Sequence, residues 1–332
     1  MLILGIETSC DETSASIVKD GGIIVSNIII SQDKIHAPFG GVVPELASRK
    51  QLESIGWVVK EAIDRAQTSL KKINAIAVTY GPGLAGSLLI GVEFAKALSY
   101  SLSVPLVGVN HIHAHLYSNF LGGSKIEFPY IGLVISGGHT SLFYVKDFMT
   151  YSFLGQTRDD ACGEAFDKGA QILNLGYPGG PVIDRISKTG NPSAIKFPRA
   201  HLENKFDFSF SGLKTSLLRY VEKRGGIPKK EIPAIAASFQ EAIVDVLVNK
   251  AILAAENKKT DTIVVGGGVA ANSRVRIKLK EEGSKRNLKI HFPNELKLCT
   301  DNGAMVAGLG YWMLKEGIVS SLTLDTQPNL QV

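Results

Sequence analysis

Apolar runs at residues 2–7, 14–18 and 23–31 are short and separated by a polar turn at 8–12 and by Gly21-Gly22. Strand-length runs punctuated by turn residues predict an antiparallel meander. After a Pro- and Gly-rich loop at 36–44, the apolar spacing becomes helical over residues 45–66. A strand at 75–79, a helix at 85–102 and a strand at 106–109 follow. The second half repeats that order. Strands are predicted at 130–135, 142–145 and 151–154, then helices, then strands at 262–265 and 289–292.

The expected fold class is therefore α/β, built from a duplicated βββαβα unit. That is the outline of the actin-like ATPase and sugar-kinase superfold, with two lobes and a central cleft; the likeness concerns fold and does not set function. The N-terminal lobe is expected over residues 1–120, with a C-terminal helix at about 307–332 returning to it, and the C-terminal lobe over residues 121–306. No solenoid period interrupts this duplication.

With 332 residues, 45% of them hydrophobic, the chain can bury a large core. The best membrane-span candidate, residues 87–109, is broken by Glu93, Lys96 and Pro105. The N-terminal run lacks a basic region and soon meets Glu7, unlike a signal peptide. A cytoplasmic location without a membrane partner is expected. Cys10, Cys162 and Cys299 are too few and too scattered for a disulfide framework. The net charge of +5 permits an acidic partner without demanding one.

Glycine turns beside strands can bring backbone N–H groups close to an anion. Candidates are Gly81-Pro-Gly83, Ser136-Gly-Gly138, Gly179-Gly180 and Gly266-Gly-Gly268, the last leading toward a helix beginning near Asn272. Each could equally be a tight turn; four in a duplicated sheet point to a nucleotide-type ligand. His111, His113 and His115 are three of the chain's seven histidines. If Asn110 caps a helix there, His111 and His115 project from one face and can share a metal, with His113 pointing elsewhere. Asp301 offers a third ligand, or alternatively a helix N-cap. Ile112, His113 and Ala114 between the two histidines supply no general base of the zincin kind, and no P-loop occurs. The first hairpin holds Glu7-Thr-Ser-Cys-Asp-Glu12 where a sugar kinase has aspartate followed by glycine, which argues against phosphoryl transfer.

Ten ordered segments then carry a closer resemblance: Gly5-Ile-Glu-Thr-Ser-Cys-Asp-Glu-Thr13, Phe39-Gly-Gly-Val-Val-Pro-Glu45, Tyr80-Gly-Pro-Gly-Leu84, His111-Ile-His-Ala-His115, Val134-Ile-Ser-Gly-Gly-His-Thr140, Gly163-Glu-Ala-Phe-Asp-Lys168, Gly176-Tyr-Pro-Gly-Gly-Pro181, Phe210-Ser-Gly-Leu-Lys214, Gly267-Gly-Val-Ala-Ala-Asn272 and Leu298-Cys-Thr-Asp-Asn302. Together they resemble the bacterial TsaD family, once called glycoproteases. The resemblance implies acyl transfer: threonylcarbamoyl passes from threonylcarbamoyl-AMP to N6 of adenosine 37, in tRNAs reading codons that begin with A, and AMP is released. It implies one divalent metal, Fe(2+) or Zn(2+), on His111, His115 and Asp301. It also implies an adenylate and threonyl site lined by Val134, Ile135, Ser136, Gly137, Gly138, Asp167, Gly180, Asp184 and Asn272. Expected partners are a shortened, TsaB-like paralogue of the same fold and a small, TsaE-like ATPase. Glu12 and His139 are candidates to take the proton leaving the adenine amine, and both could equally be structural hydrogen-bond partners. The chain departs from the family pattern at Gln51, where histidine is common, and at Gly155-Gln-Thr-Arg158. A kinase or ATPase of the same superfold, a metalloprotease and a non-catalytic scaffold are the competing readings.

Overall fold

The computed structural model describes residues 1–330. Along the chain run β1 (Leu2–Glu7), β2 (Thr13–Lys19), β3 (Ile23–Ile30), α1 (Asp33–His36), α2 (Pro44–Arg65), β4 (Ala75–Gly81), α3 (Ala85–Leu102), β5 (Leu106–Asn110) and α4 (His111–Tyr117). Next come β6 (Tyr130–Ile135), β7 (Thr140–Val145), β8 (Tyr151–Gln156), α5 (Cys162–Ile172), α6 (Gly179–Ser187), α7 (Ser211–Lys223), α8 (Ile232–Lys258), β9 (Thr262–Gly266), α9 (Ser273–Ser284), β10 (Lys289–His291) and α10 (Gly303–Lys315). The chain forms two compact units. Among the described residues, unit 1 comprises 1–36, 42–126 and 293–330, and unit 2 comprises 37–41 and 127–292.

The duplication seen in the sequence is a duplication of sheets. Unit 1 orders its strands β3-β2-β1-β4-β5, and unit 2 orders its own β10-β9-β6-β7-β8. In each unit three strands form an antiparallel meander and two more join in parallel beside the meander's first strand. Parallel pairing needs a crossover; α3 supplies one between β4 and β5, and α9 supplies one between β9 and β10.

Alternation along β1 decides what each face of the unit 1 sheet buries. Leu4 and Ile6 face a core built with Ala15 and Ile17 of β2, with Ile55, Val58, Val59 and Ala62 of α2, and with Val92 and Ala95 of α3. The α2 residues recur at helical spacing, so one apolar stripe meets the sheet. Gly5 points to the opposite face, where α10 lies. A Cβ built on Gly5 would stand 2.1 Å from the Gly303 carbonyl oxygen and 2.6 Å from the Ala307 nitrogen. Gly310 lies against Ala77 of β4, and Gly308 against Tyr117 of α4. This glycine-lined face lets α10 seat directly on the sheet. It also corrects a boundary: residues 293–306, expected with the second half, belong to unit 1, because α10 from its first residue packs on β1 and β2. Asp301 thereby falls in the same unit as His111 and His115.

In unit 2, β6 is buried along its whole length and α8 is buried on most of its circumference. A charged network joins α8 to α9. Both guanidinium and ammonium groups reach Glu241: Arg274 at 2.6 and 2.9 Å, Lys278 at 2.5 Å. Burial alone would raise the Glu241 carboxyl, but these two cations override it and hold it at about 2. A carboxyl depressed in the folded state stabilises above its ordinary value near 4.5, and the contribution fades as pH falls toward 2. With Glu241 only 12% exposed, Glu241→Gln is expected to cost about 3 kcal/mol at neutral pH. Urea midpoints of the two proteins should differ fully at pH 7 and converge on acidification through pH 4; a gap independent of pH would refute this.

Candidate functional site

β5 ends at Asn110, whose side chain accepts hydrogen bonds from the backbone N–H groups of Ile112 (2.8 Å) and His113 (3.2 Å). That cap starts α4 at His111, as the sequence expectation required. His111 and His115, one turn apart, share a face, with ring centroids 4.5 Å apart and planes at 74°. His113 is not part of this pair, and burial pulls its imidazole down to about 4. Across from the pair, Asp301 Oδ1 lies 3.1 Å from His115 Nε2 and 3.7 Å from His111 Nε2. One ligand-type atom from each of the three residues falls within 4.8 Å of the others.

The alternative reading of Asp301 as a helix cap is resolved by its neighbour. Asn302, not Asp301, caps α10: its Oδ1 accepts from Met305 N at 3.1 Å, and its Nδ2 donates to the Thr300 carbonyl at 2.8 Å. The Asp301 carboxylate is left to face the histidines.

Two observations test whether these residues suit a cation. Apart from the 3.1 Å approach of Asp301 to Nε2, neither ring nitrogen of the fully buried His115 makes a hydrogen bond, a costly arrangement that a cation on the ring's one lone pair would ease. The pair is also surrounded by negative charge. Burial alone would lower the His111 imidazole, but the Asp301 and Glu7 carboxylates override it and hold it at about 9. Two imidazoles and a carboxylate are a donor set for Zn(2+) or Fe(2+). The residues fit such an ion.

Behind His111 stands a layer that the sequence reading missed. Glu7, at the end of β1 and fully buried, places Oε2 3.1 Å from His111 Nδ1. Ser9 Oγ lies 3.1 Å from the same nitrogen. The Glu7 carboxylate also accepts from Ser9 N and from Thr79 Oγ1, each at 2.6 Å. A buried glutamate closing an otherwise apolar strand was the available signal.

The loop from Thr8 to Glu12 is held by α2. Gln51 Nε2 donates to the carbonyls of Cys10 and Glu12, both at 2.9 Å, and at 3.3 Å to that of Thr8. Gln51 is thus an amide clamp on this loop. Gln51→Leu leaves those carbonyls without their donor and should cost about 1–3 kcal/mol, read as a lowered thermal midpoint. An unchanged midpoint would show that the clamp carries no stability. On this loop, burial raises Glu12 well above the usual carboxylate range, with Asp301 adding to the effect, and burial likewise raises Asp11.

The remaining predicted residues lie in unit 2. Val134 and Ile135 end β6, and the turn beyond them is closed by Ser136 N donating to the His139 carbonyl at 2.8 Å and His139 N donating to Ser136 Oγ at 3.1 Å. Gly137 and Gly138 form its tip. β9 runs parallel beside β6, pairing Gly266 with Val134, so the second glycine turn sits next to the first at the strands' carboxyl ends. Gly267 is required there: its φ is +93° and a Cβ would stand 2.3 Å from the Ile135 carbonyl oxygen. At Gly137, Gly138, Gly180 and Gly268, by contrast, a Cβ would meet nothing within 4 Å. Packing inside the chain does not demand glycine at these four positions, and close approach by a ligand would.

Gly179 and Gly180 open α6 rather than follow a strand, which corrects one of the four expected turns. The polar residues predicted beside them anchor helix starts. Asp167 accepts from Gly179 N at 2.7 Å, Asp184 accepts from Ser273 Oγ at 2.7 Å, and Asn272 caps α9 while donating to Gln240. The departure at Arg158 also has a local role, since its guanidinium pairs with the buried Asp207 at 2.5 Å.

A family model, TsaD: tRNA N6-adenosine threonylcarbamoyltransferase, matches residues 23–308. The chain belongs to the TsaD family. A tRNA N6-adenosine threonylcarbamoyltransferase of Clostridium kluyveri is 52% identical, with 99% of this chain and 97% of the relative covered. One of the same name from Thermosipho africanus is 50% identical, with both chains fully covered. Members of this family are transferases, and the family is metal-dependent. Solved structures supply the fold. T. kodakarensis HypF superposes with a TM-score of 0.66 at 15% identity, covering 96% of this chain and 48% of that one. The component A of (R)-2-hydroxyglutaryl-CoA dehydratase from Acidaminococcus fermentans gives 0.55 at 15% identity, covering 95% and 99%. These neighbours are of the actin-like ATPase fold, as the duplicated element order predicted. Among the described residues, no helix is long and apolar enough to cross a membrane.

Proposed function

We propose that this chain transfers the threonylcarbamoyl group of threonylcarbamoyl-AMP to N6 of adenosine 37 in tRNAs reading codons that begin with A, forming N6-threonylcarbamoyladenosine and releasing AMP. The observation that carries this reading is the meeting of His111, His115 and Asp301 in a chain about half identical, end to end, to transferases of that name. Those three residues would hold one Fe(2+) or Zn(2+), which when bound supplies Lewis acidity toward an acyl oxygen.

The exocyclic amine of adenine is a weak nucleophile because its lone pair is delocalised into the ring. Catalysis must therefore come from the acyl donor and its placement. In unit 2 the backbone of Val134 to Gly138, with Gly180, Asp167, Asp184 and Asn272, is the proposed adenylate and threonyl site. The open glycines support it, because their N–H groups can meet a phosphate without side-chain interference. Glu12, made more basic by its burial, and His139 are the proposed acceptors of the amine proton. A kinase reading is disfavoured by Glu7: the carboxylate ending β1 is engaged by Thr79, Ser9 and His111 and is not free for a metal-nucleotide.

The proposed setting is the cytoplasm, with a TsaB-like paralogue and a TsaE-like ATPase as partners. The test is transfer of radiolabelled threonine from the preformed adenylate to tRNA, with and without such partners. Label is expected at adenosine 37. Absence of label under every combination would reject the assignment.

A further inference from the structure

We propose that Glu7 is a positioning residue that fixes the tautomer and orientation of His111, presenting Nε2 to the metal. The proposal rests on the reading that His111, His115 and Asp301 hold that metal.

Metal binding leaves His111 one ring proton, and the geometry favours Nδ1 for it: Glu7 Oε2 can only accept there, and Ser9 Oγ, also 3.1 Å away, can accept or donate. Glu7 Oε2 stands 3.1 Å from His111 Nδ1 and already receives the Thr79 hydroxyl, while Oε1 receives Ser9 N–H. If Nδ1 carried a lone pair, that lone pair would face a carboxylate oxygen inside a fully buried site. With Nδ1 protonated, the same contact is a hydrogen bond donated to a charged acceptor. That leaves Nε2 as the ligand nitrogen, and Nε2 lies 3.7 Å from Asp301 Oδ1. The ring is held from behind by a carboxylate that is itself held by two donors, one from the loop after β1 and one from β4. His115 has no such support, since its Nδ1 makes no hydrogen bond. The two histidines are thus unequal: one ligand is preorganised from outside and the other is placed only by the helix. Orientation by an outer carboxylate typically contributes 10–100-fold to metal affinity.

Glutamine cannot take over this role. An amide at position 7 must turn its NH2 toward either Ser9 N–H or the pair formed by His111 Nδ1 and the Thr79 hydroxyl. The first sets donor against donor. The second asks Nδ1 to accept, which moves the ring proton to Nε2 and blocks the ligand atom.

The experiment titrates Co(2+) into metal-free full-length wild type, Glu7→Gln and His111→Ala against a competing chelator, recording the visible ligand-field bands. Expected is an affinity about 10–100-fold lower for Glu7→Gln, with altered bands and unchanged 1:1 stoichiometry, and loss of the specific site in His111→Ala. Wild-type affinity and bands in Glu7→Gln, with His111→Ala impaired, would overturn the role of Glu7 while sparing the metal reading. Wild-type binding by His111→Ala would overturn the metal reading itself. Should Glu7→Gln not fold, imidazole nitrogen NMR of the Zn(2+)-loaded wild type decides: a proton on Nδ1 of His111 with metal on Nε2 supports the proposal, and the reverse refutes it.

Discussion

Asp301→Ala is expected to reduce threonylcarbamoyl transfer by about 10^3-fold or more while leaving the metal-free protein close to wild type in stability. The loss follows from the donor set. Two imidazoles alone hold a divalent ion weakly, and an ion that supplies Lewis acidity contributes several kcal/mol to the barrier, each 1.36 kcal/mol being tenfold in rate. The stability side follows from what surrounds the carboxylate. Asp301 raises the already buried Glu12 and Asp11, so it stands among groups of its own charge. Its removal relieves that repulsion but gives up its attraction to the His111 imidazole, so the two effects offset each other. Nor does the substitution touch a helix start, because α10 is capped by Asn302. Activity thus falls steeply while stability changes little, as expected where a site is built for binding rather than for the fold. Metal content, initial transfer rate and thermal midpoint of the metal-free form check the three parts together. A variant that keeps metal and rate would remove Asp301 from the site, and one that loses several degrees of thermal midpoint would make it a structural residue.

The parts of this site that could be read from the chain are those whose cause is local. Asn110 before His-x-x-x-His is a cap followed by one helical turn, and both events are decided within six residues. The same holds for the strands, whose lengths follow from the apolar runs and the glycine turns that end them. What was not legible depends on partners distant in sequence. Glu7 looked like the polar end of a strand; its role needs Thr79, seventy-two residues on, and His111, one hundred and four residues on. Asp301 could be weighed as ligand or cap but not decided, since the choice turns on whether Asn302 takes the cap. The Gln51 departure likewise read as a missing histidine, whereas its meaning lies in three carbonyls about forty residues upstream. The position of residues 293–306 was misplaced for the same reason. The sequence predicts a C-terminal helix at about 307–332; the helix in fact runs from Gly303 to Lys315, and only the meeting of Gly5 with Gly303 says which sheet it covers.

That meeting is the basis of the second large effect. Gly5→Ala is expected to destabilise unit 1 by about 3 kcal/mol or more and to weaken metal binding with it. The added methyl would stand 2.1 Å from the Gly303 carbonyl oxygen, 2.6 Å from the Ala307 nitrogen and 2.7 Å from its Cβ, and two of those three atoms are backbone. No rotamer change can clear backbone, so either β1 or α10 must move. Overpacking costs typically 1–3 kcal/mol where side chains can yield, and more where they cannot. β1 is the middle strand of its sheet, paired with β2 on one side and β4 on the other, so the helix is the element that gives. As α10 lifts it carries its N-terminal segment, and Asp301 lies two residues before that helix begins. His111 and His115 stay with α4, so the 3.1 Å approach of Asp301 to His115 opens. The expected readouts are a chemical-denaturation midpoint well below wild type and a lowered Co(2+) affinity in the protein that remains folded. Gly22→Ala is the matched control, because a Cβ there meets nothing within 4 Å and should change neither. Equal midpoints for Gly5→Ala and Gly22→Ala would show that α10 is not seated on β1 as closely as the structure has it, and the placement of Asp301 would lose its physical cause.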